Sequence, residues 1–141
     1  MAQSSLKHSV NTVHKVGLSF EANIDQYQFG MDTTSDASVG GGPSPKKLML
    51  AGLAGCTGID IVSILEKMKV SFSDFHVNIE AELTEEHPQI YHTVNIIYTI
   101  KVSEEDQSKM ERAVYLSKEK YCGVSDMFSH FAKLDFKIQF C

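Results

Sequence analysis

Three cysteines are the residues best able to do chemistry in this chain of 141 residues. Cys56 lies within a long apolar segment, and Cys122 stands directly before Gly123 near the end of a predicted helix. Two thiols can cycle between dithiol and disulfide, or one thiolate can attack an oxidant while the other resolves the product. A lone cysteine is more often a packed small hydrophobe, so both interpretations stay open. Cys141 is the last residue and is read as incidental.

Two charged residues could modify the Cys56 thiol. Asp60 follows it by four residues, so the two share one face of a helix. A carboxylate there opposes thiolate formation, but it could also hold a cation beside the sulfur. Lys47 stands three residues after Ser44, where a Glu would complete a capping box. It is either a solvated lysine or a cation placed for an anionic ligand or a partner chain.

No metal, cofactor or nucleic-acid site is predicted. His130 follows Cys122 by eight residues, but no C-x-x-C or H-x-x-x-H spacing supports a metal site with the two cysteines. The glycines at 40–42 lack the Lys-Ser/Thr end of a phosphate-binding loop. The formal net charge of −5 is dispersed, without the basic stripe that nucleic acid requires.

Composition favours a globular protein of the cytoplasm. Hydrophobic residues make up 43% and charged residues 22% of the chain, and the length fits one domain over residues 1–141. The polar N-terminus has no signal-peptide core, so thiols are expected to be mostly reduced and a permanent disulfide scaffold is not expected. The apolar run at 48–65 contains glycines and Asp60, which argues against a membrane span.

The elements around these residues predict an α+β fold. Short strands are expected at about 7–16, 18–22 and 27–31, with a turn at 23–26. A Ser, Gly and Pro-rich loop at 33–45 ends where Ser44 can cap and Pro45 can open a helix. That helix should run to about Lys69 and, being apolar on nearly all sides, should be buried. Its glycines, at 52, 55 and 58, would allow another backbone to approach closely.

The second half of the chain alternates strongly. Every second residue is apolar at 75–83 and at 90–102, which predicts two long strands with one face on a core. Ser103 and Asp106 resemble a capping box that opens a second helix, and Gly123 should stop it. Ser125 should cap a short helix to about 131, and residues 134–140 should form the last of about six strands.

Two segments resemble motifs of the OsmC/Ohr family. Because the order of the predicted elements also fits this family, the resemblance covers nearly the whole chain. The stretch from Pro45 to Leu65, PKKLMLAGLAGCTGIDIVSIL, is similar to the family's P-x-E-L-L-L-A-A-L-A-x-C helix, and KYCGVS at 120–125 is similar to its second cysteine motif. The resemblance implies an intertwined homodimer with a long central helix and sites at the subunit interface. It also implies an organic hydroperoxide reductase, with Cys56 as the peroxidatic and Cys122 as the resolving thiol, restored by an external dithiol.

The chain departs from that family pattern at two positions. The peroxidases steady their thiolate with an Arg from the N-terminal strands and hold it with the Glu of P-x-E-L. Here Arg112 is the only arginine, and Lys47 replaces the Glu. Lys47 precedes Cys56 by about 13 Å of helix, so it could replace the Arg only from a partner subunit. Otherwise peroxide turnover is weak, and the protein is a redox sensor, a disulfide-exchange protein or a small-lipid-binding dimer.

Overall fold

Six strands and three α-helices form the part of the chain that the computed structural model describes, residues 6–141. The chain divides into two units, the first ending at Met49 and the second beginning at Leu50. The strands and helices confirm the predicted α+β class. That residues 1–141 form a single domain stays a prediction.

The first unit contains an antiparallel sheet of three short strands in the order β1-β2-β3. These are β1 (Asn11–His14), β2 (Phe20–Ile24) and β3 (Tyr27–Met31). Asp25 has a φ of 54° in the two-residue turn between β2 and β3, a conformation that Asp tolerates better than most residues. The predicted hairpin is confirmed, while the first strand is shorter than residues 7–16.

A buried carboxylate organises the loop that follows β3. Asp32, 2% exposed, accepts hydrogen bonds from the N–H groups of Thr33, Val39 and Gly41 at 2.6, 2.9 and 3.0 Å, and from the Ser38 hydroxyl at 3.2 Å. The bond from Gly41 contributes most to lowering the pKa of Asp32 below its ordinary 3.8, against the opposing effect of burial. The glycine-rich loop is therefore wrapped around one carboxylate.

Helix α1 runs over Pro45–Lys67. The Lys47 N–H donates to Ser44 Oγ at 3.4 Å, which confirms the predicted cap. The chain leaves the helix at Lys69, whose φ of 59° is left-handed. Buried residues form one stripe at i, i+4, i+8 and i+12: Leu53, Thr57, Ile61 and Leu65. The helix was expected to be buried on most sides, but within this single chain its burial is confined to that face.

The length and composition of α1 would also allow a membrane span. Its most apolar 18-residue window is 22% buried in this chain. A core helix of a soluble protein passes the same test, and the buried stripe of α1 joins the core of the second unit. Because Asp60 also accepts a hydrogen bond from another helical segment, we assign α1 to the core of this fold.

The second unit has a three-stranded sheet in the order β4-β5-β6. Its strands are β4 (Ser73–Leu83), β5 (Tyr91–Lys101) and β6 (Lys133–Phe140). β4 pairs with β5 in antiparallel and β5 with β6 in parallel orientation. The alternating side chains of β5 meet those of α1 in one hydrophobic core, which includes Leu53, Ile61, Leu65, Val94, Ile96, Tyr98, Ile100 and Met110.

The connection between β5 and β6 differs from the prediction in its caps. A 3₁₀ turn (Glu104–Asp106) leads into α2 (Gln107–Leu116), which continues as a π-helical turn (Ser117–Tyr121) before α3 (Gly123–Ser129). The Ser103 hydroxyl contacts the Asp106 carboxylate at 3.2 Å and caps no backbone N–H. Gly123 was expected to end the second helix, but it is the first residue of α3. The cap of α3 is Cys122, whose sulfur accepts from the Ser125 N–H.

Candidate active site

The two predicted thiols meet in the second unit, and Asp60 meets them there. The Sγ atoms of Cys56 and Cys122 and a carboxylate oxygen of Asp60 all lie within 4.8 Å of one another. Helix α1 supplies Cys56 and Asp60 from successive turns, and the junction before α3 supplies Cys122. Both cysteines are free thiols, with Cys56 half-buried and Cys122 buried. The arrangement places two nucleophiles side by side with a proton acceptor.

The π-helical turn sets the position of Cys122. The Cys122 N–H donates to the Ser117 carbonyl at 2.8 Å, five residues back, and the backbone then becomes extended at Cys122, with φ −83° and ψ 98°. This break aims the sulfur at the first turn of α3, where the Ser125 N–H donates to it at 3.3 Å. Turns of this kind are frequent at functional sites.

Burial raises the pKa of the Cys122 thiol. The adjacent Cys56 side chain raises this pKa further, while the Ser125 N–H lowers it by stabilising the thiolate. Only 3% of Cys122 is exposed. Cys122 is therefore held as a neutral thiol at neutral pH, and Cys56 is the sulfur that a molecule from solvent reaches more easily.

A chain of buried hydroxyl groups ends on Asp60. Tyr98 Oη lies 2.7 Å from Thr57 Oγ1, which lies 2.9 Å from Ser117 Oγ. Ser117 in turn donates to Asp60 Oδ2 at 3.2 Å. Because each hydroxyl has one proton, the Ser117 bond to Asp60 obliges Thr57 to donate to Ser117 and Tyr98 to donate to Thr57. The direction of all three hydrogen bonds therefore follows from the carboxylate oxygen that accepts the last one.

Tyr98 is at the other end of this series of hydroxyl groups, where its hydroxyl always acts as a donor. Its side chain is fully buried, and burial raises the pKa of Tyr98 to about 12, with smaller raising contributions from Cys122 and Asp60. The hydrogen bond with Thr57 opposes this shift. The phenol therefore stays protonated throughout the physiological range. Its charge cannot change when the thiols react.

The structure does not bring every predicted residue to this cluster. Lys47 is exposed in the first turn of α1 and belongs to the first unit. His130 is exposed and bonds through Nδ1 to the Asp126 carbonyl at 2.7 Å. Cys141 is exposed at the chain end. Arg112 lies 5.9 Å from the centroid of the Tyr115 ring, a cation–π contact along α2.

The sequence reasoning missed three members of the site: Thr57, Ser117 and Tyr98. The hydroxyl of Thr57 beside Cys56 was visible in an otherwise apolar helix, and a buried hydroxyl requires a partner. The identity of that partner was not visible, because Ser117 and Tyr98 lie far away along the chain. Nothing in the local sequence marks the π-helical turn that brings Ser117 into place.

Comparison with known protein families identifies the family of this chain. The model of the OsmC-like protein family matches residues 36–137. The chain belongs to the OsmC-like family. Protein YhfA of Escherichia coli is 36% identical over 85 residues, which are 60% of this chain and 63% of YhfA. The match to this relative thus spans less than two thirds of its length.

Solved structures share the OsmC-like fold. A hypothetical protein of Aquifex aeolicus superimposes with a TM-score of 0.84 at 24% identity, covering 97% of this chain and 98% of that one. A Legionella pneumophila protein, described as an organic hydroperoxide resistance protein OsmC and predicted redox protein, regulator of sulfide bond formation, reaches 0.68 at 15% identity, covering 97% and 99%. These likenesses confirm the OsmC-like fold that the resemblance of the two cysteine motifs implied.

Proposed function

We propose that this OsmC-like protein is a thiol-dependent peroxidase that reduces organic hydroperoxides through Cys56 and Cys122. The observation that carries the proposal is the approach of the two Sγ atoms to within 4.8 Å. Two thiols this close can become one disulfide with small side-chain movements. The family adds support, because several of its members are linked to organic hydroperoxide resistance.

The reaction consumes one peroxide and one dithiol. The Cys56 thiolate attacks a peroxide oxygen, the O–O bond breaks, and the alkoxide takes up a proton and leaves as an alcohol. Cys56 becomes a sulfenic acid, oxidised by two electrons. The Cys122 sulfur then attacks Cys56, forming the disulfide and releasing the oxygen as water. An external dithiol reduces the disulfide by exchange and is itself oxidised.

Burial assigns the order of the two thiols. Cys56 is half-buried and can meet a substrate, whereas Cys122 is buried and its raised pKa keeps it as a thiol. A buried neutral thiol is a poor first nucleophile but is well placed to attack a sulfenic acid that forms beside it. Cys56 is therefore the peroxidatic residue of the proposal and Cys122 the resolving one.

The cation that steadies the thiolate is part of the proposal. Arg112 is engaged with Tyr115, so it does not stand in for the Arg of the peroxidases. We assign this role to Lys47 of a second subunit in a homodimer. The exposed apolar side of α1 supports the dimer: Ile59 is 72% exposed, and a Cβ added at Gly52 or Gly55 would meet nothing within 4 Å.

The dimer is tested by sedimentation of the purified chain. An open groove of about 540 Å³ is lined by Gly55, Gly58, Ile59, Val62 and neighbouring residues, so a charge there should be buried by a partner helix. We expect Ile59→Asp to shift a dimer to monomer. Met127→Asp, at a similarly exposed position on α3, is the matched control and should remain dimeric. Equal sedimentation of wild type and Ile59→Asp would remove α1 from the interface.

The peroxidase is tested by intact mass and thiol titration before and after one equivalent of tert-butyl hydroperoxide. Loss of two hydrogens and two thiols, mapped to Cys56–Cys122, is the expected result. Cys141→Ser should react like wild type, Cys56→Ser should not react, and Cys122→Ser should stop at the sulfenic acid. Survival of all three thiols in a large excess of several hydroperoxides would refute the peroxidase. We place the protein in the cytoplasm, where a dithiol reductant is supplied.

Disulfide exchange is the second candidate. The chain lacks the Arg–Glu pair with which the peroxidases of the family activate their thiolate. In addition, the similar Legionella protein is described as a regulator of sulfide bond formation. This function predicts that Cys56 and Cys122 equilibrate with an oxidised dithiol such as lipoamide even when peroxides leave them reduced. Thiol titration in a lipoamide redox series distinguishes the two functions. A disulfide formed by peroxide but not by lipoamide would exclude the exchange function.

A further inference from the structure

The cluster at the thiol pair has the composition of a metal site. Three ligand atoms, two sulfurs and one carboxylate oxygen, lie within 4.8 Å of one another. Zn²⁺ binds thiolates at about 2.3 Å and carboxylates at about 2.0–2.2 Å, and with three protein ligands it keeps a fourth position for water or a small molecule. No metal-ligand spacing is visible along the sequence, because Cys122 comes from another segment. His130 bonds to the Asp126 carbonyl instead.

Charge favours a cation at this position. Two thiolates and the carboxylate would hold three negative charges in a largely buried space, and no ion pair to Asp60 is found within residues 6–141. A divalent cation supplies the missing positive charge and displaces the two thiol protons into solvent. The soft sulfur ligands select thiophilic ions such as Zn²⁺ over Mg²⁺ or Ca²⁺.

The residues behind the cluster orient its ligands. Ser117 Oγ donates to Asp60 Oδ2 at 3.2 Å, and Thr57 and Tyr98 fix that hydroxyl from behind. The Ser125 N–H donates to Cys122 Sγ at 3.3 Å and would remain in place when this sulfur binds a metal ion. Hydrogen bonds of this kind hold metal ligands in place, and their loss commonly costs about 10–100-fold in affinity.

We propose that the reduced protein binds one Zn²⁺ ion through Cys56, Cys122 and Asp60. Binding forms two Zn–S bonds and one Zn–O bond, and two protons leave. When a hydroperoxide oxidises the same thiols, two electrons pass from the sulfurs to its O–O bond, which takes up two protons and leaves as alcohol and water. The resulting disulfide has no thiolate left to hold the ion, so metal binding and oxidation exclude each other. Asp60 also lines a groove of about 320 Å³, so this carboxylate can be reached from solvent. The inference requires adjacent thiols and does not require peroxide turnover.

The test uses Co²⁺ as a spectroscopic probe and Zn²⁺ in competition with a chromophoric chelator, on the reduced full-length chain. We expect one ion per chain, a tetrahedral Co²⁺ spectrum with thiolate charge-transfer bands, and displacement of Co²⁺ by Zn²⁺. Cys56→Ser and Cys122→Ser should each abolish tight binding, and Asp60→Asn should weaken it. Ser117→Ala should weaken it by about 10–100-fold. Protein pre-oxidised to the disulfide should bind no metal.

Matched controls separate the site from general metal affinity. Cys141→Ser and Asp135→Asn change an exposed thiol and an exposed carboxylate and should bind as wild type does. Each variant is first checked for a cooperative thermal transition, and the pre-oxidised wild type tests the sulfur ligands without any mutation. Binding that survives oxidation, or that persists in both Cys56→Ser and Cys122→Ser, would overturn the proposal. So would a Co²⁺ spectrum without thiolate bands. Peroxide turnover is measured separately on the metal-free protein. A failure of metal binding is thereby distinguished from a failure of the peroxidase.

Discussion

Two carboxylates of this chain are withdrawn from solvent in opposite ways. Asp32, in the first unit, accepts four hydrogen bonds, three of them from backbone N–H groups. Asp60, in the second unit, accepts one, from the Ser117 hydroxyl, among the residues described. One of its carboxylate oxygens lies within 4.8 Å of two sulfur atoms. A carboxylate that is saturated by backbone donors can only hold a loop, whereas one with spare acceptor capacity beside nucleophiles can exchange protons or bind a cation.

The comparison predicts the largest loss of stability for Asp32→Asn. An amide at this position presents N–H groups to the Val39 and Gly41 N–H donors, so some of these donors lose their partner. We expect a clearly lower midpoint of thermal unfolding, while the rate at which Cys56 reacts with a thiol reagent stays unchanged. Asp60→Asn, whose amide oxygen still accepts from Ser117, should change the midpoint little. Equal destabilisation by both variants would contradict the contrast.

Acid should reveal the same difference. Because the folded-state pKa of Asp32 is below 3.8, the unfolded chain binds this proton more readily. The stabilising effect of Asp32 is therefore complete above the unfolded pKa and is lost as the pH falls below it, through the folded pKa. Denaturant unfolding of wild type and Asp32→Asn should converge below about pH 4. A stability difference that stays constant down to pH 2 would exclude this linkage.

Local pattern predicted most of the fold because local physics decides it. Alternation along 75–83 and 90–102 marked β4 and β5, whose inward side chains are buried against one core. Ser44 and Pro45 marked the start of α1 through cap chemistry. The end of α2 was wrong for the same reason: Gly123 favours a helix stop, but the break comes one residue earlier, at the extended backbone of Cys122.

The candidate site was only half predictable. The two cysteines and Asp60 were found by residue type and by family resemblance. The hydroxyl chain was not found, since Thr57 meets Ser117 across 60 residues of sequence and Tyr98 across 41. Such contacts depend on how β5 and the π-helical turn pack on α1, and no single segment encodes them. The burial of α1 was overestimated from its composition, because an apolar helix surface can be covered by a second chain as well as by its own.

Thr57→Val should produce the largest effect within the hydroxyl chain. Valine has a similar shape but removes the group that joins Tyr98 to Ser117, and it leaves a fully buried phenol without its acceptor. A buried unsatisfied group costs about 1–3 kcal/mol. We expect denaturant unfolding to show a loss of this size with an unchanged m-value. Thr99→Val is the control, because Thr99 is at a partly buried position of the same strand and makes no side-chain hydrogen bond within the described residues. A loss no greater than the control's would show that the hydroxyls contribute nothing to stability.

Tyr98→Phe should produce a smaller effect of the same sign. The ring stays, and only the terminal donor of the hydroxyl chain is removed, so Thr57 keeps its bond to Ser117. The net contribution of one such hydrogen bond to the free energy of unfolding is about 0.5–1.5 kcal/mol. Tyr91→Phe is a matched control on the same strand, since Tyr91 is 7% exposed and makes no side-chain hydrogen bond within the described residues. We expect Tyr98→Phe to lower the free energy of unfolding and Tyr91→Phe to leave it nearly unchanged. If both cost the same, the bond from the Tyr98 hydroxyl to Thr57 adds nothing to stability, and the Tyr98 hydroxyl does not support the carboxylate end of the site.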